Sequence, residues 1–319
     1  MSEFIPKSTS NDFYGYVPDP DATARFVNKL PRSFAQQVQN LVGDDDSDAF
    51  PYRHLAKALE GSQHVKAGRL RARNQGSVGS CVGNGGASAA DGTAAGDIHA
   101  RGEPETWPTQ DGKPIRTSAD YSYGAGRHIS GNLGRWDGSY GSVQAKAYRE
   151  WGACHERRYR GVDLSEYSEE RCRRYAAKGI PNTLIEAAKD HPFRTTTLVE
   201  SREQARALLQ NSYFLSVCSG QGFNGRRDAD GFMRANQRWA HCMCVCGYRG
   251  GRRRGFLIWN SWGSNWGSGP LWPADMPFGA FWCDWDIFGR MLRTGDTFAF
   301  GGYQGFRASP FDWERGLGW

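Results

Sequence analysis

The chain has 319 residues, enough for a sizeable core in one large two-lobed unit or in two ordinary domains. Its 40 basic and 34 acidic side chains leave a net charge of +6 spread through the middle of the chain, so a nucleic-acid partner is not expected. No stretch approaches ~18 continuous apolar residues, and the start Met-Ser-Glu-Phe-Ile-Pro-Lys lacks the parts of an export signal. A soluble, cytoplasmic protein without membrane contact is expected, its cysteines (81, 154, 172, 218, 242, 244, 246 and 283) being free thiols.

Residues 1–65 read as an N-terminal extension, either a pro-segment or a tether to a larger assembly. Residues 21–30 have the helical spacing of Phe26 and Leu30, Pro31 interrupts, and 34–41 resumes a helical pattern. The acidic run Asp44-Asp45-Asp46-Ser47-Asp48 reads as a surface linker, which places a boundary between 44 and 65. The main domain then covers 66–295, followed by an aromatic, Gly-rich tail over 296–319.

From Cys81 to His99 the sequence is rich in Ala and Gly, with Ala87, Ala90, Ala94 and Ile98 on one stripe, which predicts a closely packed helix starting at Cys81. A Gly-rich loop is expected over 124–141, then a helix from Val143 to Glu150 stopped by Gly152, and another from Glu200 to Gln210. Strands are expected at 212–219, 241–248 and 255–260, the last two forming a hairpin that brings His241 and Asn260 to comparable depth. Arg252-Arg253-Arg254 in its turn reads as a solvated loop tip. Cys242, Cys244 and Cys246 alternate along one strand and face away from His241, so they read as small buried apolar thiols and not as metal ligands. The histidines at 54, 64, 99, 128, 155 and 191 show no partner pattern. Trp107, Trp136, Trp151, Trp272, Trp282, Trp285, Trp313 and Trp319 read as core or lobe-packing residues. The tail from Phe298 to Trp319 reads as a segment that docks on this chain or on a partner.

Two distant segments carry chemistry: Gln75-Gly-Ser-Val-Gly-Ser-Cys81, and His241 followed by Asn260-Ser-Trp-Gly-Ser-Asn-Trp-Gly267. A thiolate, not a thiol, is the nucleophile, and a helix N-terminus at Cys81 favours the anion while His241 accepts the proton. Asn260 orients the imidazole from its other nitrogen, and Trp262 shields that bond from water. Gln75 and the Cys81 backbone N–H supply the two donors of an oxyanion hole.

These residues and spacings resemble the papain-like cysteine peptidases of the C1 type over roughly residues 70–290. The match rests on the Gln75-to-Cys81 spacing, the His241 strand ending in Gly247-Tyr248, the block NSWGSNWG, and Gly138-Ser139-Tyr140 followed by Gly152. The resemblance implies an α+β fold of two lobes, a helical left lobe carrying Cys81 and an antiparallel sheet or barrel carrying His241 and Asn260, with the cleft between. It implies peptide hydrolysis through a Cys81 thioacyl-enzyme, no cofactor or metal, and substrate contacts at Gly138, Ser139, Tyr140 and Ala240. The chain departs from the pattern at Val78, Val82 and Ser139, and no long inhibitory propeptide is evident in the first 65 residues. Two other readings share these residues: a transamidase with the same triad, and a papain-fold component of a larger assembly such as a phage virion, active or not, tethered through 1–65 or 298–319.

Overall fold

The computed structural model describes residues 12–31, 33–101, 107–135, 137–303, 311–312 and 317–318. Trp136, Trp313, Trp319 and most of the tail beyond Tyr303 lie outside the described residues. Ten helices are described: α1 (Pro20–Val27), α2 (Phe34–Val42), α3 (Tyr52–Ala58), α4 (Cys81–Arg101), α5 (Ala119–Ile129), α6 (Gly141–Glu150), α7 (Glu169–Lys178), α8 (Asn182–Ala188), α9 (Arg202–Gln210) and α10 (Trp285–Leu292). The main sheet has seven strands: β1 (Asp12–Phe13), β2 (Phe193–Leu198), β3 (Leu215–Gly222), β4 (Gln237–Arg249), β5 (Gly255–Trp259), β6 (Ala280–Asp284) and β7 (Thr297–Tyr303). Its order is β6-β5-β4-β3-β7-β2, all antiparallel, with β1 added in parallel to β4. The chain is thus helix-rich first and strand-rich second, an α+β arrangement. No described helix is long and apolar enough to cross a membrane.

Side-chain caps start several helices where the sequence offers a short oxygen. Ser33, Ser118, Ser168 and Ser201 each accept a backbone N–H of the first turn, as Asp19 does for α1. The helix α4 has no apolar stripe of ordinary width. Its Ala, Gly and Ser side chains are buried on nearly every side, because α5, α6, the sheet and α3 all pack on it. Low intrinsic propensity is thereby overridden by tertiary contact. Arg73 fixes this helix to the rest of the lobe, with Nη2 on Asp91 at 2.6 Å and on the Thr117 carbonyl at 2.9 Å, and Nη1 on Glu156 at 3.1 Å. His64 reaches the same Glu156 at 3.1 Å, and burial pulls its pKa down to about 4, so it is neutral at pH 7.

Several expectations change. The glycines at 124 and 126 lie inside α5, not in a loop: a Cβ on Gly124 would come within 2.6 Å of Tyr175, so the glycine is what lets α7 close on α5. The helices α7, α8 and α10 and the strands β2 and β6 are not among the expected elements, although α10 has helical spacing at Trp285, Phe288, Met291 and Leu292. Phe298, Ala299 and Phe300 are fully buried in β7, between β3 and β2, so the start of the aromatic tail is an interior strand of the sheet. The segment before residue 65 also packs inward. Phe34, Ala35 and Val38 of α2 join Val199, Ala205 and Leu208, while Tyr52, Leu55 and Leu59 enter the main core with Ala90, Phe214 and Leu257. The acidic run and the arginine turn, read as two separate surface features, meet: Asp46 accepts from the Tyr248 hydroxyl and from Gly251 N–H and pairs with Arg254 at 3.0 Å. Arg253 pairs with Asp228 at 2.6 Å and Asp230 at 2.8 Å and lies over the Phe232 ring.

Candidate active site

Cys81 is the first residue of α4 and His241 lies in β4, where it pairs with Ser219 of β3. Asn260 follows β5 directly. The β4–β5 hairpin, in register at Cys244 with Trp259 and Val245 with Ile258, brings the two side chains together. His241 Nε2 donates to Asn260 Oδ1 at 2.8 Å, and the same oxygen accepts Ser261 N–H at 2.8 Å, which fixes the carboxamide orientation. The proton is therefore on Nε2 and the lone pair on Nδ1, the tautomer a general base needs. Trp262 stacks on the imidazole, ring centroids 4.7 Å apart and planes 27° apart. The structure thus brings His241, Asn260 and Trp262 together.

The thiol is a different matter. The helix N-terminus predicts a lowered pKa, yet the Cys81 thiol is pushed well above its ordinary range because the side chain is completely buried. The nearby backbone N–H groups of Cys242 and Val82 offset the burial only in part. His241 Nδ1 is buried and makes no hydrogen bond among the described residues. Burial also pulls the His241 pKa down to about 4, against the upward effect of Asn260. Cys81 and His241 share no hydrogen bond among the described residues.

The cause of this burial is the chain's own N-terminal segment. Residues 12–17 cross the site, β1 pairing with Trp239 and Ala240 next to His241. The Ala240 carbonyl accepts Tyr14 N–H at 3.1 Å and Tyr16 N–H at 3.2 Å. On the opposite wall Ser139 N–H donates to the Gly15 carbonyl at 2.8 Å, and Val17 N–H donates to the Ser139 carbonyl at 2.8 Å. The residues expected to hold a substrate backbone thus hold the protein's own. Gly138, at φ 105°, donates its N–H to the Tyr123 hydroxyl at 3.0 Å and receives Arg127 Nη1 on its carbonyl at 2.7 Å, which fixes the loop before Ser139. Gly15 has φ +112°, and a Cβ there would lie 2.1 Å from the Gly79 carbonyl oxygen, so only glycine allows this approach to the nucleophile loop.

Gln75 lies at the same cleft, and its side chain has an occupant. Its Nε2 donates to the Tyr14 carbonyl at 3.0 Å and to the Val78 carbonyl at 3.0 Å. Its Oε1 accepts from Ser261 Oγ at 2.9 Å, so the carboxamide cannot turn over. The Tyr14 ring lies 4.5 Å from Trp262 and 5.5 Å from His241. Tyr140 and Ala240 line the cavity that receives the Tyr16 side chain. Beyond Trp262 an open cleft of ≈ 1340 Å³ continues past Asn74, Ser77, Asn224 and Glu169.

Tyr14, Gly15, Tyr16, Asp137 and Asp296 carry no signal in the sequence, and Ser261 enters there only as part of the NSWGSNWG block. Asp137 joins the two walls of the cleft, accepting Gly79 N–H at 2.7 Å and Gly138 N–H at 3.0 Å. A lone Asp or an aromatic-Gly-aromatic triplet carries no recognisable spacing, so only the fold reveals them. Cys242, Cys244 and Cys246 are buried free thiols, and among the described residues no group of three or more His, Cys, Asp or Glu side chains is placed to hold a metal ion.

No protein-family model and no curated protein matches the chain by sequence. Solved structures do. Xylellain, a cysteine protease from Xylella fastidiosa, superposes with a TM-score of 0.57 at 17% identity, over 93% of this chain and 98% of its own. Procathepsin L2 from the larval midgut of Tenebrio molitor gives 0.54 at 13% identity, over 93% and 81%. Procathepsin B S9 from Trypanosoma congolense gives 0.53 at 10% identity, over 91% and 86%. At such identities the likeness is one of architecture, and with the helical lobe, the antiparallel sheet and the cleft between them it establishes that the chain has the papain-like two-lobe fold.

Proposed function

We propose that this chain is a cysteine peptidase that hydrolyses peptide bonds through a thioester at Cys81 and is held latent by residues 14–17. The observation that carries the reading is the peptide carbonyl of Tyr14 on Gln75 Nε2 at 3.0 Å, on a backbone held at both walls by Ser139 and Ala240. The cleft is built to bind a peptide backbone with a carbonyl directed at Gln75.

Once that segment leaves, water re-enters and the burial that raises the thiol is relieved. His241 Nδ1 takes the Cys81 proton and the thiolate attacks the substrate carbonyl carbon. The oxyanion then accepts from Gln75 Nε2–H and the Cys81 N–H. As the C–N bond breaks, the imidazolium returns its proton to the leaving amine. Water, deprotonated by His241, then cleaves the thioester and frees the acid product. Asn260 holds the ring in the required tautomer throughout. Two of the similar structures are named as pro-enzymes, which supports latency by an N-terminal segment.

The test is Gly15→Val in the full chain. It forces a side chain against Gly79 and strains a left-handed backbone, a cost of about 1–3 kcal/mol. Cleavage of an unstructured peptide and labelling of Cys81 by an epoxide should both rise, and both should vanish when Cys81→Ala is added. Undiminished cleavage by the double variant would sink the proposal.

A further inference from the structure

The two oxyanion donors invoked above, the Gln75 carboxamide and the Cys81 N–H, depend on residues 75–80, which belong to no helix or strand. Hydrogen bonds from distant segments hold this loop instead. The Gln75 N–H donates to the Ser261 carbonyl at 2.9 Å, and the Gln75 carbonyl accepts the Tyr167 hydroxyl at 2.9 Å. Tyr167 lies two residues before α7, and its phenol oxygen is also 2.8 Å from Ser80 Oγ. A phenol has one proton and a carbonyl can only accept it, so Tyr167 donates to Gln75 and Ser80 Oγ–H donates to Tyr167. Ser80 Oγ in turn accepts Asn84 Nδ2–H at 3.1 Å, and Asn84 Nδ2 also reaches the Ser80 carbonyl at 3.0 Å. A directed chain therefore runs from Asn84 in the first turn of α4, through Ser80 and Tyr167, to the Gln75 carbonyl. Burial pushes the Tyr167 hydroxyl up, so it stays protonated and a donor. The residues that follow Tyr167 fasten the middle of the loop. Ser77 Oγ donates to Glu169 Oε2 at 2.6 Å, and Val78 packs with Cys172. Gly76, at φ +62°, lets Glu169 approach, since a Cβ there would lie 1.9 Å from Oε1.

We infer that Tyr167 is a positioning residue of the peptidase proposed above, tying Gln75 at one end of the loop to Ser80 at the other so that the two oxyanion donors keep their spacing. The inference rests on the peptidase reading. One hydroxyl bridges the residue that carries the side-chain donor and the residue just before the nucleophile, so removing it frees both ends together. Donors that drift from the developing oxyanion weaken the transition state more than the bound substrate, because only the former carries the charge they serve. The loss therefore falls on kcat and acts through Gln75, not on the thiol itself.

Tyr167→Phe in the Gly15→Val enzyme tests it. On one peptide kcat should fall about tenfold or more while KM changes by less than about threefold. Inhibition by a peptide aldehyde, whose adduct places its oxygen in the oxyanion site, should weaken by a similar factor. Inactivation by methyl methanethiosulfonate, which modifies the thiol without forming an oxyanion, should stay within about threefold. In a double-mutant cycle Gln75→Ala should absorb most of the effect, Tyr167→Phe then costing less than about threefold in kcat. Should Tyr167→Phe fail to fold, Ser80→Ala breaks the same chain and should give the same split. A loss in kcat below about threefold, a change confined to KM, or losses that multiply in full with Gln75→Ala overturn the inference and leave the peptidase reading standing. If the Gly15→Val parent neither cleaves peptide nor reacts at Cys81, the peptidase reading falls and this inference with it.

Discussion

Two stretches of chain meet at Cys81, and they are encoded in different ways. One comprises Gln75, Cys81, His241 and Asn260, whose residue types and spacing fit what the proposed acyl transfer requires of a nucleophile, a base, an orienting amide and an oxyanion donor. The other is the segment 14–17, held through backbone N–H and C=O groups and one obligatory glycine. The first can be recognised without coordinates. The second cannot, since almost any sequence offers the same backbone groups. The difference teaches that reactive groups leave a sequence signature, whereas occupancy of a cleft is written in conformation.

The comparison is broken most decisively at the nucleophile. Relative to the Gly15→Val enzyme, adding Cys81→Ala should lower peptide cleavage by about 10⁴-fold or more, read as kcat/KM on one peptide, and a residual rate within tenfold would refute its role. Gln75→Ala in the same background should cost about 10²–10³-fold in kcat with a smaller change in KM. A pure KM effect would mean that Gln75 only positions substrate.

The opposite stretch is sharpened by pH. Burial raises the Cys81 thiol in the closed state, so that state binds the proton more tightly than the open one. Its contribution to closure is full below the ordinary thiol value of about 8.5 and is lost as pH rises above it. Epoxide labelling of the native chain should therefore still be climbing at pH 9. In the Gly15→Val enzyme the plateau should come at lower pH, and superimposable profiles would show that the segment does not control the thiol. The smallest effect is expected far from Cys81. Arg254→Ala removes a half-exposed pair with Asp46 and a cation–π contact with Trp285, and should cost roughly 1 kcal/mol in denaturant unfolding without changing cleavage.

The sequence by itself pointed to the papain-like plan and to the proposed catalytic set, through NSWGSNWG and the Gln75-to-Cys81 spacing. It also determined helices whose caps and apolar spacing are local, such as α2 from Ser33 and α9 from Ser201. The helix α5 escaped because Gly124 is used for packing against Tyr175, a partner about fifty residues on, so local propensity pointed to a loop. The strand β7 escaped because an aromatic run beyond the motifs has no period that separates a docking tail from an interior strand. Only the tertiary structure decided the protonation of Cys81, since a helix start favours the thiolate and burial beneath residues 14–17 favours the thiol more strongly. It alone placed Asp296 on the N–H groups of Gly141 and Ser142, 155 and 154 positions away in the chain. Contacts of that range arise from the closure of the whole fold, and no local spacing announces them.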